Sequence, residues 1–227
     1  MARTLDPAAH ALRRDAFIEA AQRLMQTKGY DQMSIQDVLD ELETSRGAFY
    51  HYFDSKAALL EAVVERMTDA ATASLAPVIE DPGLDAVTKL QAFFSGLAQW
   101  KEMRKELLLA FMAAWLSDEN AIVREHFRQN VALRLTPLLA RLVEQGNAEG
   151  TYSTGPAGPT AGVLVSLILG ANEAASRLFV AHQAREVSFE EVVSALAAYA
   201  AAFERILGLP AGSWPIADPE ILHRWFQ

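Results

Sequence analysis

The chain of 227 residues contains no cysteine. That excludes disulfides and thiolate metal sites, and it admits a reducing compartment. Cations are also scarce: 20 Lys and Arg stand against 29 Asp and Glu, a formal charge of −9. Taken alone, this argues against nucleic acid, because phosphate binding depends on Lys and Arg releasing counterions. A whole-chain balance, however, says little about a face made by a few residues. No uninterrupted apolar run reaches the ~18–20 residues of a membrane span. The longest, 161–171, stops at Asn172-Glu173. The first residues, Met1 to Pro7, lack an apolar signal-peptide core. The expectation is a soluble, cytoplasmic protein with no membrane partner. Enzymatic signals are missing too. Five histidines (10, 51, 126, 182 and 223) show no metal-binding spacing. The glycine-rich stretch 150–159 lacks the Lys-Ser/Thr of a P-loop, and no G-x-S-x-G elbow occurs. No catalytic residue, metal or cofactor is expected, and the chain is not expected to be an enzyme.

At one domain per about 150 residues, 227 residues make one large domain or two smaller ones, and 51% of them are hydrophobic. Punctuation is sparse, and the segments between are long, so helices are favoured over strands. Asp6-Pro7 places an N-cap before a first-turn proline. Leu12, Ala16, Phe17, Ala20, Ala21, Leu24 and Met25 then recur at helical spacing as one buried face. Lys28-Gly29 closes that helix. Ser34 and Asp37 form a capping-box-like start for a short helix through Leu42. A tight turn at Glu43-Thr44 leads to a second short helix over 45–52. Asp54-Ser55 caps a longer one that ends near Pro77. Further helices are expected over 84–103, 105–116, 120–146 (bent at Pro137), 159–181 and 188–207. A loop covers 150–159. Asp218-Pro219 starts a terminal turn with Leu222, Trp225 and Phe226. No alternating β-branched run and no internal repeat is present, so the fold class is all-α.

Residues 34–56 read as a helix-turn-helix inside a three-helix bundle. In such a unit the second helix enters the major groove while the first crosses the backbone. Phe49 and Phe53, four apart, face the core, which leaves Arg46, Gly47, Tyr50 and His51 on the other side. Gly47 and Ala48 are small enough for close approach to base edges or thymine methyls. Arg46 can donate a fork of hydrogen bonds to guanine. Tyr50, Tyr52 and Lys56 can reach phosphate oxygens, and Ser34 and Ser45 mark helix N-termini whose N–H groups suit phosphate. His51 is either a DNA contact or a surface residue. The alternative for the whole segment is a helical hairpin without DNA contact.

The stretch from Phe17 to Leu60 resembles the N-terminal DNA-binding domain of the tetracycline-repressor (TetR) family of transcriptional regulators. The matching residues are Gly29-Tyr30, Ser34-Ile35-Gln36-Asp37-Val38 and Ser45 through Phe53, then Ser55-Lys56 and Leu59-Leu60. Two positions depart from the family. Leu39 stands where a small residue is usual, and Glu43 stands where the turn usually has glycine. A positive φ at Glu43 would cost roughly 1 kcal/mol relative to Gly. The resemblance implies residues 1–54 as a helix-turn-helix DNA-binding domain and 55–227 as a ligand-binding, dimerising helical domain. Residues 1–56 hold seven Lys/Arg (3, 13, 14, 23, 28, 46, 56) and nine Asp/Glu, so DNA contact would rest on a few cations, with Arg3 available from an N-terminal arm.

In the larger part Phe93, Phe94, Leu97, Trp100, Met103, Phe111, Met112 and Trp115 either line an apolar ligand cavity or fill a solid core. His126, Asn130, Arg134, Asn172 and Glu173 are polar groups able to orient a ligand, although Glu173 and Arg177 equally suit a local ion pair. Gly162, Ser166, Gly170 and Ala174 fall on every fourth position of one helix. Ser194, Ala197, Ala198, Ala201 and Ala202 add a small-residue face on the next, serving either a dimer interface or packing within the chain. The resemblance favours a pocket for a small-molecule inducer and a homodimer through these last long helices. Its implied function is a regulator, most often a repressor, released from a palindromic double-stranded DNA operator by a small apolar or aromatic ligand. Two other readings stay open: a DNA-binding dimer without inducer, and an all-α small-molecule-binding protein that has lost DNA binding.

Overall fold

The computed structural model describes residues 7–213 and 219–226. Arg3, Asp6 and Asp218 lie outside the described residues. All regular structure among the described residues is helical, as the sparse Gly and Pro punctuation predicts. The chain forms two compact units, one comprising residues up to Ala70 with Lys101–Phe127, the other Ala71–Trp100 with the residues from Arg128 onward. These units cross the sequence boundary at 54.

The first unit holds α1 (Pro7–Lys28), α2 (Ile35–Glu41), α3 (Arg46–Tyr50), the start of α4 (Lys56–Glu80), α6 (Lys105–Leu116) and the first turns of α7 (Ala121–Glu149). Its core gathers Phe17, Ile18, Met25, Val38, Phe49, Phe53, Leu59, Leu60 and Val63, together with Ala114, Trp115 and Val123. Each large side chain fully buried there contributes roughly 1.5–3 kcal/mol. Leu12 departs from the expected buried face: it is 72% exposed. Ile18, one residue past Phe17, takes a core place instead.

The second unit holds the rest of α4 and α7, α5 (Ala86–Glu102), α8 (Ala157–Gln183), α9 (Phe189–Leu207) and α10 (Pro219–Phe226). Ser188 caps α9 in a capping box with Glu191, which the sequence reading missed. Gly208, at φ 72°, closes the helix in the left-handed region. α10 packs its buried Phe226 among Phe179 and Phe189.

Three expected boundaries shift. Pro77 lies inside α4, which runs on to Glu80. The proline forfeits one hydrogen bond, while buried Leu75 and Ile79 hold the last turn. Gly146 does not end α7. The helix continues to Glu149, and Gly150, at φ 73°, follows it. A β-carbon at Gly146 would sit 2.0 Å from Cδ2 of Tyr152, so the glycine makes room for that buried ring. The Tyr152 hydroxyl donates to the Ala86 carbonyl at 2.9 Å, and burial pushes it well above the ordinary phenol range. Lastly, α8 begins at Ala157 rather than at Pro159, because a proline is tolerated in a first turn. As one uninterrupted helix of 27 residues, α8 is long and apolar enough to cross a membrane by length and composition alone, with 17% of its most apolar stretch buried.

Candidate nucleic-acid interface

The site is built on two short helices that could not persist alone, since helices below about 12 residues are marginal in water. Local chemistry starts and stops each one. The Ser34 side chain accepts the Asp37 N–H, and Asp37 Oδ2 accepts both the N–H (2.8 Å) and the hydroxyl (2.9 Å) of Ser34. Lys28 Nζ reaches Asp37 Oδ1 at 2.6 Å. That ammonium, with the two Ser34 donors, holds the Asp37 carboxyl down to about 2. At the other end of α2, Thr44 N–H donates to the Leu39 carbonyl (3.0 Å) and Glu43 N–H to Asp40 (3.3 Å), the paired bonds of a Schellman turn. Its left-handed position is Glu43, at φ 46°. The strained conformation considered from the sequence is therefore adopted, and the buried Leu39 beside it helps hold it.

Ser45 caps α3 by accepting the Ala48 N–H at 3.3 Å. Phe49 is fully buried and packs on Phe17 and Phe53 at 5.7 and 5.8 Å. This anchor turns Ser45, Arg46, Gly47, Tyr50 and His51 outward, all exposed, with Ala48 half-buried. Tyr50 lies edge-on to Phe49 at 5.3 Å. A β-carbon at Gly47 would meet nothing nearer than Ser45 Oγ at 4.0 Å, so no packing within the chain requires a glycine there.

Most cations of this segment are already engaged. Arg23 pairs with Glu41 (2.7 Å) and Lys28 with Asp37. Arg13 and Arg14 lie over the rings of Phe17 and Phe53. Lys56 sits 4.1 Å over the Tyr30 ring and donates to the Asp31 carbonyl at 3.4 Å. Desolvation pushes its ammonium below the ordinary lysine range, and burial beside Asp31 raises the Tyr30 phenol. Among the described residues of 7–56, Arg46 is the cation with no partner inside the chain. Ser34 keeps no spare hydroxyl hydrogen, because Asp37 accepts it. Tyr52 is half-buried, 5.6 Å from Phe17. Sequence reasoning omitted His10, whose ring lies 4.6 Å from Tyr52 and 5.5 Å from His51. The only signal for it was its offset of seven from Phe17, which puts both on one face of α1.

This segment has relatives. Residues 17–63 match the family model described as bacterial regulatory proteins, tetR family. Over this segment the chain is similar to the tetR family. Over 52 residues it is 42% identical to an HTH-type transcriptional regulator in the lacX 3' region of Lactococcus lactis subsp. lactis, covering 23% of this chain and 26% of that one. Over 86 residues it is 24% identical to the HTH-type transcriptional repressor DhaR of Mycobacterium sp. strain GP1, covering 38% and 43%. The match thus spans about a quarter to two-fifths of these relatives' length. The fold extends further. RolR, solved in complex with resorcinol, superposes with a TM-score of 0.60 at 18% identity, over 96% of this chain and 97% of that one. Both curated relatives, the Lactococcus lactis protein and DhaR, are transcriptional regulators.

The residues expected to line a ligand cavity divide between the two units. In the second, Phe93 and Trp100 are buried, and Leu97, Asn130 and Asn172 are half-buried. Phe93 meets Phe94 at 5.2 Å, and Phe94 meets Phe203 at 5.4 Å. In the first, Trp115 belongs to the core, with Phe111 packed against it and Phe127 5.0 Å away. Met112 is half-buried there. Met103 departs from a lining role: it sits in the turn after α5 and is 74% exposed. His126 Nδ1 lies 2.6 Å from Glu61 Oε1, and Glu173 bonds Arg177 (3.0 Å) and Arg128 (3.4 Å).

Of the small residues, Ser166, Ser194, Ala197 and Ala198 are exposed, while Gly162, Ala174 and Ala201 are half-buried. Gly170 faces inward: a β-carbon there would lie 3.3 Å from the Tyr199 ring of the same chain.

Proposed function

We propose that this chain is a cytoplasmic, homodimeric, DNA-binding transcriptional repressor of the tetR family, released from its operator by a small apolar or aromatic ligand. The observation that carries the DNA-binding part is the outer face of α3. Arg46 is exposed and unengaged, and Gly47 is a glycine with no intramolecular reason to be one. A free guanidinium beside a bare backbone suits a base edge in the major groove. Ser45, Ala48, Tyr50, His51, Tyr52 and Lys56, with the N-terminus at Ser34, complete the DNA-contacting set.

In this reading residues 1–54 contact DNA and 55–227 bind ligand and dimerise. Support for the dimer comes from the exposed Val163 and Val180 of the apolar helix α8, and from the exposed Ser166, Ser194, Ala197 and Ala198. A second copy would cover both helices, and a two-fold pair would read half-sites about 34–36 Å apart. Phe93, Leu97 and Trp100, with Asn130 and Asn172 as polar groups, would hold the ligand. Small aromatics are the class that RolR holds as resorcinol. Helix α4 starts two residues after the DNA-contacting segment and runs on into the second unit. A ligand that tilts it would change the spacing of the two α3 helices, and must favour the non-binding state by about 1–3 kcal/mol.

The test is a mobility-shift titration on duplex DNA from upstream of the chain's own gene, repeated for Arg46→Ala. Arg46→Ala should cost about 1–3 kcal/mol and relax one operator position. A folded wild type that binds no such fragment at low salt sinks the reading. Release of the complex by small phenols tests the ligand part.

A further inference from the structure

The Tyr52 and Phe53 N–H groups donate to the Phe49 carbonyl at 2.9 and 3.0 Å, which fixes the backbone at the end of α3 and leaves its outward side chains to other contacts. The helix is five residues long, ending at Tyr50, and its buried anchors, Phe49 and Phe53, fix only its inner side. His51 and Tyr52 follow on the surface. Their rings meet each other at 5.0 Å, nearly perpendicular. A third ring closes the group. His10, on α1, meets Tyr52 at 4.6 Å and His51 at 5.5 Å, the latter edge to face. Tyr52 in turn lies 5.6 Å from Phe17. Phe17, Tyr52, His10 and His51 thus form a continuous path of ring contacts from the core to the exposed end of α3. His10 and Phe17 share one face of α1, seven residues apart, so this helix supplies two of the four rings.

We infer that His10 is a positioning residue for DNA binding, holding the His51 and Tyr52 rings at the end of α3 while not itself touching DNA. The inference rests on the DNA-binding reading above. Edge-to-face and tilted ring pairs at these distances are attractive in excess of their buried area. Their loss frees His51 to sample rotamers that a bound duplex must then pay to order. The part of His10 that matters is its flat ring rather than its charge, so another ring of similar size should serve.

The experiment uses the full-length chain and duplex DNA from upstream of its gene, with affinity measured against salt for wild type, His10→Ala and His10→Phe. Isotope-labelled histidine reports the ring proton of His51 without DNA. His10→Ala should bind roughly three- to tenfold more weakly, with the salt slope unchanged, the melting temperature lowered by only about 2–4 °C and the His51 ring signal shifted. His10→Phe should restore affinity. Three results overturn the inference: His10→Ala binding as tightly as wild type, a salt slope reduced by about one as for a lost phosphate contact, or His10→Phe no better than His10→Ala. If wild type binds no DNA, the DNA-binding reading fails and takes this inference with it. Wild-type binding beside an unaffected His10→Ala overturns this inference alone.

Discussion

A methyl group added at Gly47 enters open space, so Gly47→Ala fits the folded chain and removes the entropic penalty of a helical glycine. It should stabilise the protein by about 0.5–1 kcal/mol, seen as a higher melting temperature, while weakening operator affinity in a binding titration. Greater stability with undiminished affinity would deny Gly47 a place against DNA. Glu43 presents the converse. Its backbone is held at φ 46°, a conformation that costs a side-chain-bearing residue about 1 kcal/mol. Glu43→Gly should recover about that much in denaturant melts, and the Glu43 carboxylate is exposed, so no buried contact is lost. Both positions were visible in the sequence as residues at odds with their setting. Leu12 was not. Helical spacing puts it on the apolar face, and spacing alone cannot tell where along a helix the core stops.

Helix ends were legible wherever their chemistry is local. Lys28-Gly29, Ser34 with Asp37, and Ser45 act over three or four residues, and each appears where the sequence places it. Pro77 and Gly146 misled because their meaning depends on side-chain packing rather than on a cap: buried Leu75 and Ile79 in one case, the Tyr152 ring in the other. Two predictions belong here. The Asp37 carboxyl is held down to about 2, below the ~3.9 of an unfolded chain. Its contribution is therefore fully present above about pH 4 and lost as pH falls through about 2. Asp37→Asn should melt lower than wild type at neutral pH and converge with it near pH 2; parallel curves across that range would refute the assignment. Gly146→Ala forces a β-carbon to 2.0 Å from the Tyr152 ring. Moving the ring breaks its bond to Ala86, and the variant should lose about 1–3 kcal/mol in equilibrium unfolding.

On the scale of the molecule, α8, mostly half-buried with Val163 and Val180 exposed, is the feature with room for a partner. If a second copy supplies it, Ala198→Arg should turn a dimer into a monomer by analytical ultracentrifugation, and operator binding should weaken with it. An Ala198→Arg chain that stays dimeric would move the interface elsewhere. The fold class was open to sequence reading because helix periodicity repeats along the whole chain. The allegiance of α6 was not. Phe111 and Trp115 look from the sequence like part of the C-terminal aromatic set, yet they pack with Phe17 and Phe49 in the first unit. Such pairings join residues about a hundred positions apart, and no local pattern encodes them.

That allegiance bears on inheritance. The segment matching the family model ends at residue 63, but the core beneath it is completed by Ala114, Trp115 and Val123. A recombination event that carried only the matching segment into another protein would import most of a hydrophobic core and leave Ala114, Trp115 and Val123 behind. The segment proposed to contact DNA is thus not a portable cassette, and exchanging it with its core intact means exchanging α6 as well.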